Sequence, residues 1–120
     1  MISQIELMRL SGLTNRDFAR QIVPSGKMTV DEIRSLAVVS EDMRRAADEF
    51  ARNNPNSVEV KMSILGKLAA LERWSRMAYV AYRYKVIARQ HPLLTKWGIK
   101  AQANMEFYRF WRAGSYTTAV

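Results

Sequence analysis

The sequence predicts an all-α fold: a single-domain helical bundle of five or six helices around one long central helix, at about residues 57–90. Three observations lead there. First, the stretch from Ser57 to Gln90 has no proline and one glycine, Gly66. In it Val60, Ile64, Leu68, Leu71, Ala78, Tyr82 and Val86 form an apolar stripe at helical spacing. Second, helix-start signals recur along the chain. Third, no stretch shows the period-two alternation of a half-buried strand. At about 1.5 Å per residue the central helix would span about 50 Å. That is long for a chain of 120 residues, so it is expected to kink or to project.

The elements are justified in order by their caps and breakers. Ser3-Gln4-Ile5-Glu6 reads as a capping box, in which the serine oxygen takes a free backbone N–H and the glutamate reaches back. Ile2 and Leu7 sit where a hydrophobic staple closes, and Ser11-Gly12 ends this helix. Thr14-Asn15-Arg16-Asp17 opens a short second helix with Phe18 and Ile22 facing inward. Pro24-Ser25-Gly26 breaks it and makes a turn. Thr29-Val30-Asp31-Glu32 is another capping box, with Ile33, Leu36 and Ala37 on one face. Ser40-Glu41-Asp42 looks like a fresh N-terminus, its acids complementing the helix dipole, and predicts a break or kink there. Met43, Ala46, Ala47 and Phe50 follow at helical spacing. Asn53-Asn54-Pro55-Asn56 ends that helix. Asn56 and Ser57 then compete to cap the central helix, with Glu59 supporting Asn56.

His91-Pro92 ends the central helix, because the residue before a proline is pushed out of the α region. Pro92 suits the first turn of the last helix, which is expected to run to about Arg112. Its main stripe is Leu94, Trp97, Ala101, Met105, Tyr108 and Trp111. Ile99, Ala103, Phe107 and Phe110 make a second. A helix apolar on two faces is sandwiched between neighbours or meets another protein. The domain thus divides into a neutral short-helix half (1–54), a basic long-helix half (57–113) and a frayed tail (114–120).

Composition narrows the function classes. There is no cysteine, which removes disulfides, thiolate metal sites and cysteine nucleophiles and fits a reducing compartment. No apolar run approaches the roughly 20 residues that span a bilayer. The N-terminus lacks early basic residues and carries Glu6, unlike a secretory signal. The expectation is a soluble cytoplasmic protein. Its net charge of +8 is unevenly placed. Residues 1–57 carry eight cations and eight carboxylates, whereas residues 58–120 carry eleven cations against Glu59, Glu72 and Glu106. Such asymmetry points to polyanion contact.

Catalytic chemistry needs polar groups converging in a pocket. The one histidine, His91, precedes a proline in a loop, and the carboxylates cluster at helix N-termini, where capping explains them. No zinc-protease motif, phosphate-binding glycine loop or Asp-rich metal loop occurs. No enzyme, cofactor, metal site or small-molecule substrate is therefore expected.

The leading expectation is a non-enzymatic subunit that binds DNA or RNA backbone without sequence preference, inside a larger nucleoprotein assembly. At about 100° per residue, Arg73, Arg76 and Arg83 fall within about an 80° arc, flanked by Tyr79. That face can track phosphates while the tyrosine stacks on a base. Lys85 and Arg89 lie elsewhere on the same helix, and Lys96 and Lys100 extend the positive field into the next. The alternative is a small protein–protein adaptor or inhibitor, of the kind found in viruses and mobile elements, that grips an acidic partner through Trp97, Phe107, Phe110 and Trp111. Trp, Tyr and Arg are the residue types enriched at binding hot spots. Membrane contact is not expected, because the aromatics surround the last helix instead of segregating to one face.

A third reading concerns residues 14–37. Ser11-Gly12-Leu13-Thr14-Asn15-Arg16-Asp17-Phe18-Ala19 resembles the opening of a phage-repressor helix-turn-helix, with Ala19 as the small residue of its first helix. That resemblance implies a sequence-specific DNA-binding regulator. It ends after Ala19: the connection from Ile22 to Met28 exceeds the motif's tight turn, and Val30-Asp31-Glu32 would set acids against phosphates.

Overall fold

The computed structural model describes residues 2–24 and 27–118, and for residues 116–118 the backbone only. Five helices follow one another: α1 (Gln4–Ser11), α2 (Asn15–Ile22), α3 (Val30–Asn53), α4 (Val58–Gln90) and α5 (Lys96–Thr118). No strand occurs among the described residues. The fold is the all-α bundle that the apolar periodicity demands.

The first three helix starts are set by local chemistry. Ser3 accepts the Glu6 N–H, Thr14 the Asp17 N–H and Thr29 the Glu32 N–H, at 3.0–3.2 Å. Each hydroxyl satisfies a donor that the first helical turn cannot pair internally. The Thr29 hydroxyl also donates to the Glu32 carboxylate at 2.9 Å, closing the box through side chains. Ser57 occupies the cap position of α4 without a side-chain bond, so Asn56 is not its cap. Ser25 and Gly26 of the expected turn lie outside the described residues.

Three expected boundaries are corrected. There is no break at Ser40: α3 runs unbroken for 24 residues. Its buried face continues from Ile33, Leu36 and Ala37 through Met43, Ala47 and Phe50. Glu41 pairs with Arg44 one turn on instead of opening a new helix. Burial of that continuous face outweighs the few tenths of a kcal/mol by which Val38, Val39 and Ser40 disfavour helix. Second, α5 starts at Lys96 and not at Pro92, because Thr95 accepts the Gly98 N–H at 3.1 Å and caps it. Third, α5 passes through Gly114 to Thr118 where a frayed tail was expected; Ala119 and Val120 lie outside the described residues. Gly114 is buried against α3, and a Cβ there would come within 2.6 Å of the Arg34 carbonyl oxygen and 2.8 Å of the Ala37 Cβ. Glycine thus lets the two helices approach closely, and the contact holds the last turns in place.

The main core gathers Leu7, Phe18, Met28, Ile33, Met43, Ile64, Leu71, Tyr79, Phe107 and Trp111 from all five helices and the segment before α3. α4 is the spine, packed by α1, α2, α3 and α5. It is continuous over 33 residues, so the length problem is resolved by projection. The molecule measures 55 Å along its longest axis, close to the roughly 50 Å of α4 itself. Toward the Gln90 end the support thins. A second small cluster holds Ile87, Ile99 and Ala103, with Val80, Tyr84 and Ala88 packed against it, all from α4 and α5. The tip of the molecule is therefore a two-helix hairpin.

The face that α4 buries changes along its length. Ile64, Leu68 and Leu71 are buried as expected, but farther on Ser75, Tyr79 and Ile87 are buried while Ala78, Tyr82 and Val86 are only partly so. The reason is a change of neighbour. Gly66 lies against Asn15 of α2, whereas Arg76, Tyr79 and Arg83 bond to α5.

Lys67 interrupts the apolar pattern of α4 yet is 3% exposed. Its ammonium donates to Ser63 Oγ at 3.0 Å, and Ser63 donates to the Ser11 carbonyl at 2.8 Å. This relay ties α4 to the end of α1 and meets the rule that buried polar groups find partners. Burial pushes the Lys67 pKa below its usual range.

Candidate functional site

The eight residues expected to meet nucleic acid fall into two groups. Arg76, Tyr79 and Arg83 face α5 and are used internally. Arg76 Nη1 donates to Asn104 Oδ1 at 3.0 Å. Tyr79 is 3% exposed, its ring tilted against that of Phe107, and its hydroxyl donates to Glu106 Oε2 at 3.0 Å. Arg83 grips both oxygens of Glu106, at 3.0 and 2.9 Å. Tyr79 therefore cannot stack on a base, which corrects the expectation for that residue. Its pKa is pushed up to about 12, first by burial and then by the bond to Glu106. The Glu106 pKa is lowered, chiefly because Arg83 hydrogen-bonds the charged form.

The second group is Arg73, Lys85, Arg89, Lys96 and Lys100. All five are exposed, and none forms an ion pair among the described residues. The sequence has no Asp or Glu between Glu72 and Glu106, so carboxylates are sparse around Lys85, Arg89, Lys96 and Lys100 within the two helices. α4 supplies Arg73, Lys85 and Arg89, and α5 supplies Lys96 and Lys100. The two helices pair through Ile87, Ile99 and Ala103; Arg89, Lys96 and Lys100 lie at or near the connection between them, while Lys85 lies by Pro24 and Lys27. Low carboxylate density around a cluster of ammonium and guanidinium groups raises the local positive potential.

The four aromatic residues expected at a partner interface are also divided. Phe107 is fully buried, in ring contact with Tyr79, Tyr108 and Trp111. Trp111 is in the core beside it, and Phe110 is half-buried with the Arg34 guanidinium 5.6 Å from its ring centre. These three hold the fold, so their assignment to an interface is corrected. Trp97 alone is open, at 83% exposure. Both stripes of α5 are thus divided, with Trp111 of the main stripe buried beside Phe107 of the second. Ile99, Ala103 and Phe107 face inward, while Leu94, Trp97, Ala101 and Met105 face out.

Sequence reasoning missed Leu93 as a surface feature. It is 98% exposed in the α4–α5 connection, next to Leu94 and Trp97. The signal was present as an apolar pair directly after Pro92, at a position where no helix could bury it.

The helix-turn-helix reading finds α2 and α3 separated by residues 23–29. α3 is packed by both α4 and α5, and its first turn carries Asp31 and Glu32. Among the described residues no group of three or more His, Cys, Asp or Glu side chains is placed to hold a metal ion, and no helix is long and apolar enough to cross a membrane. Neither protein-family models, nor curated proteins, nor solved structures offer a match to this chain.

Proposed function

We propose that the chain is a non-enzymatic subunit that lays its α4–α5 hairpin along a nucleic-acid backbone, within a larger nucleoprotein assembly. One observation carries this reading: Lys85, Arg89, Lys96 and Lys100, with Arg73 nearer the middle of α4, are exposed and form no ion pair among the described residues. Five unpaired cations on two helices can displace counterions from phosphates without reading bases. Arg76 and Arg83 do not take part directly; they fix α5 against α4 and so set the spacing of the cations. Glu106 is held by Arg83 and Tyr79 as part of the same contact between α4 and α5.

The test is a salt titration of binding to mixed-sequence DNA and RNA. Four or five phosphate contacts on a duplex give a log–log slope of about −3.5 to −4.5. Binding that is undetectable at low salt, or indifferent to salt, would remove the proposal.

A second reading retains support from the outward stripe of α5. An adaptor or inhibitor would use Trp97, with Leu94 and Met105, against an acidic partner. It predicts that a Trp97→Ala change abolishes partner binding while nucleic-acid retention stays intact.

A further inference from the structure

The hairpin tip carries more than charge. Leu93 and Trp97 are 98% and 83% exposed, and Leu94 and Met105 are exposed as well. Within α5, Trp97, Ala101 and Met105 follow at a spacing of four, so they share one helix stripe, and Leu93 and Leu94 lie in the connection just before it. Exposed apolar patches of this kind mark a protein or membrane contact. Lys96 and Lys100 leave the same helix, and Arg89 stands just before the connection.

We propose that this tip docks on an anionic lipid surface, with Leu93, Leu94 and Trp97 entering the headgroup boundary and Arg89, Lys96 and Lys100 meeting the lipid phosphates and carboxylates. A second copy of the chain would set these cations against their own counterparts, with no carboxylate between Glu72 and Glu106 to relieve them. A nucleic acid uses the cations but gains nothing from two leucines and a methionine, since stacking needs a π-face. A rigid protein would need a socket shaped to side chains as exposed as Leu93 and Trp97. A bilayer deforms around them, and Trp with Lys or Arg at the headgroup level is the usual residue mix of that layer. The sequence argument against a membrane was that aromatics surround α5. Burial of Phe107 and Trp111 removes its premise, because Trp97 is the aromatic left open on the hairpin's apolar stripe. Contact is peripheral, not spanning.

The proposal shares Arg89, Lys96 and Lys100 with the nucleic-acid reading and differs from it in using Leu93, Leu94 and Trp97, so variants of those apolar residues tell the two apart. The test is co-sedimentation of the full chain with phosphatidylcholine vesicles, with and without phosphatidylserine, using wild type and the double variant Leu93→Ser, Trp97→Ser. Each cation at an anionic surface contributes about fivefold in partitioning. The double variant should bind phosphatidylserine vesicles at least about tenfold more weakly, given the cost of exposing a leucine and a tryptophan. Its melting temperature and its binding to mixed-sequence DNA should be unchanged. Fluorescence of the wild type should also be quenched by bromine on the lipid acyl chains, and that quenching should disappear in Trp97→Phe. No binding to phosphatidylserine vesicles at low salt would overturn the proposal. So would equal binding by the double variant, which means electrostatic adsorption alone, or a matching loss of DNA binding, which means one site for nucleic acid.

Discussion

Glu106 of α5 holds Arg83 of α4 in a two-pronged ion pair, and the same carboxylate takes the Tyr79 hydroxyl. Both partners are largely shielded, at 22% and 17% exposure. Charge-assisted bonds of this geometry are the strong ones, and this set locks the two helices of the hairpin together where the main core gives way to the tip. Replacing Glu106 by Ala should cost about 2 kcal/mol in chemical denaturation, because Arg83 and Tyr79 lose their acceptor in a partly desolvated site.

The same triad sets a pH dependence. The folded pKa of Glu106 lies below its ordinary 4.5. Its contribution to stability is therefore complete above that ordinary value and lost as pH falls through the depressed one. Tyr79 behaves oppositely. Its folded pKa of about 12 exceeds the ordinary 10.0, so its contribution is complete below pH 10 and lost as pH rises toward about 12. Stability curves of Glu106→Gln and Tyr79→Phe should lack the acid and the alkaline component respectively, each measured against wild type.

Two glycines in helices should respond in opposite directions. A Cβ at Gly114 meets the α3 backbone at 2.6 Å, and backbone cannot step aside as a side chain can. Gly114→Ala should destabilise by about 1–3 kcal/mol. At Gly66 the nearest atom to a new Cβ is the Asn15 amide nitrogen, at 3.8 Å, an ordinary contact. Gly66→Ala should stabilise by about 0.5–1 kcal/mol through helix propensity alone. Thermal melts of the two variants check both signs.

The split between buried and open positions on α5 predicts a sharp contrast between aromatics. Phe107→Ala opens a cavity in the main core and should cost about 3–5 kcal/mol. Trp97→Ala removes an exposed ring and should change stability by less than about 0.5 kcal/mol. If Trp97 proved the costly one, the inward face of α5 would be misassigned.

What was legible in the sequence was whatever depends on neighbours along the chain. Ser3, Thr14 and Thr29 announce their helices because a cap is a bond to a residue three positions on. Ser40-Glu41-Asp42 carries the same local signal, yet the buried run from Leu36 to Phe50 overrides it. The orientation of α5 was not legible, since both of its stripes are apolar and either could pack. Gly114 was the available clue: a glycine seven residues after Phe107 marks the face of closest approach. For the cationic surface the sequence located the charge but not its pairing. Whether Arg83 faces solvent or Glu106 depends on how α4 and α5 align, and that alignment is settled by Ile87, Ile99 and Ala103.

The unpaired cations of the hairpin are the core of the functional account, and charge reversal tests them most directly. The measurement is binding of mixed-sequence DNA and RNA at low salt by wild type and by a variant with Lys85, Arg89, Lys96 and Lys100 all changed to Glu. These side chains are exposed and outside the core, so the variant should keep its helical content. The account predicts that its affinity falls by about 100-fold or more and that the remaining binding loses its salt dependence. Binding equal to wild type by a folded variant would contradict it.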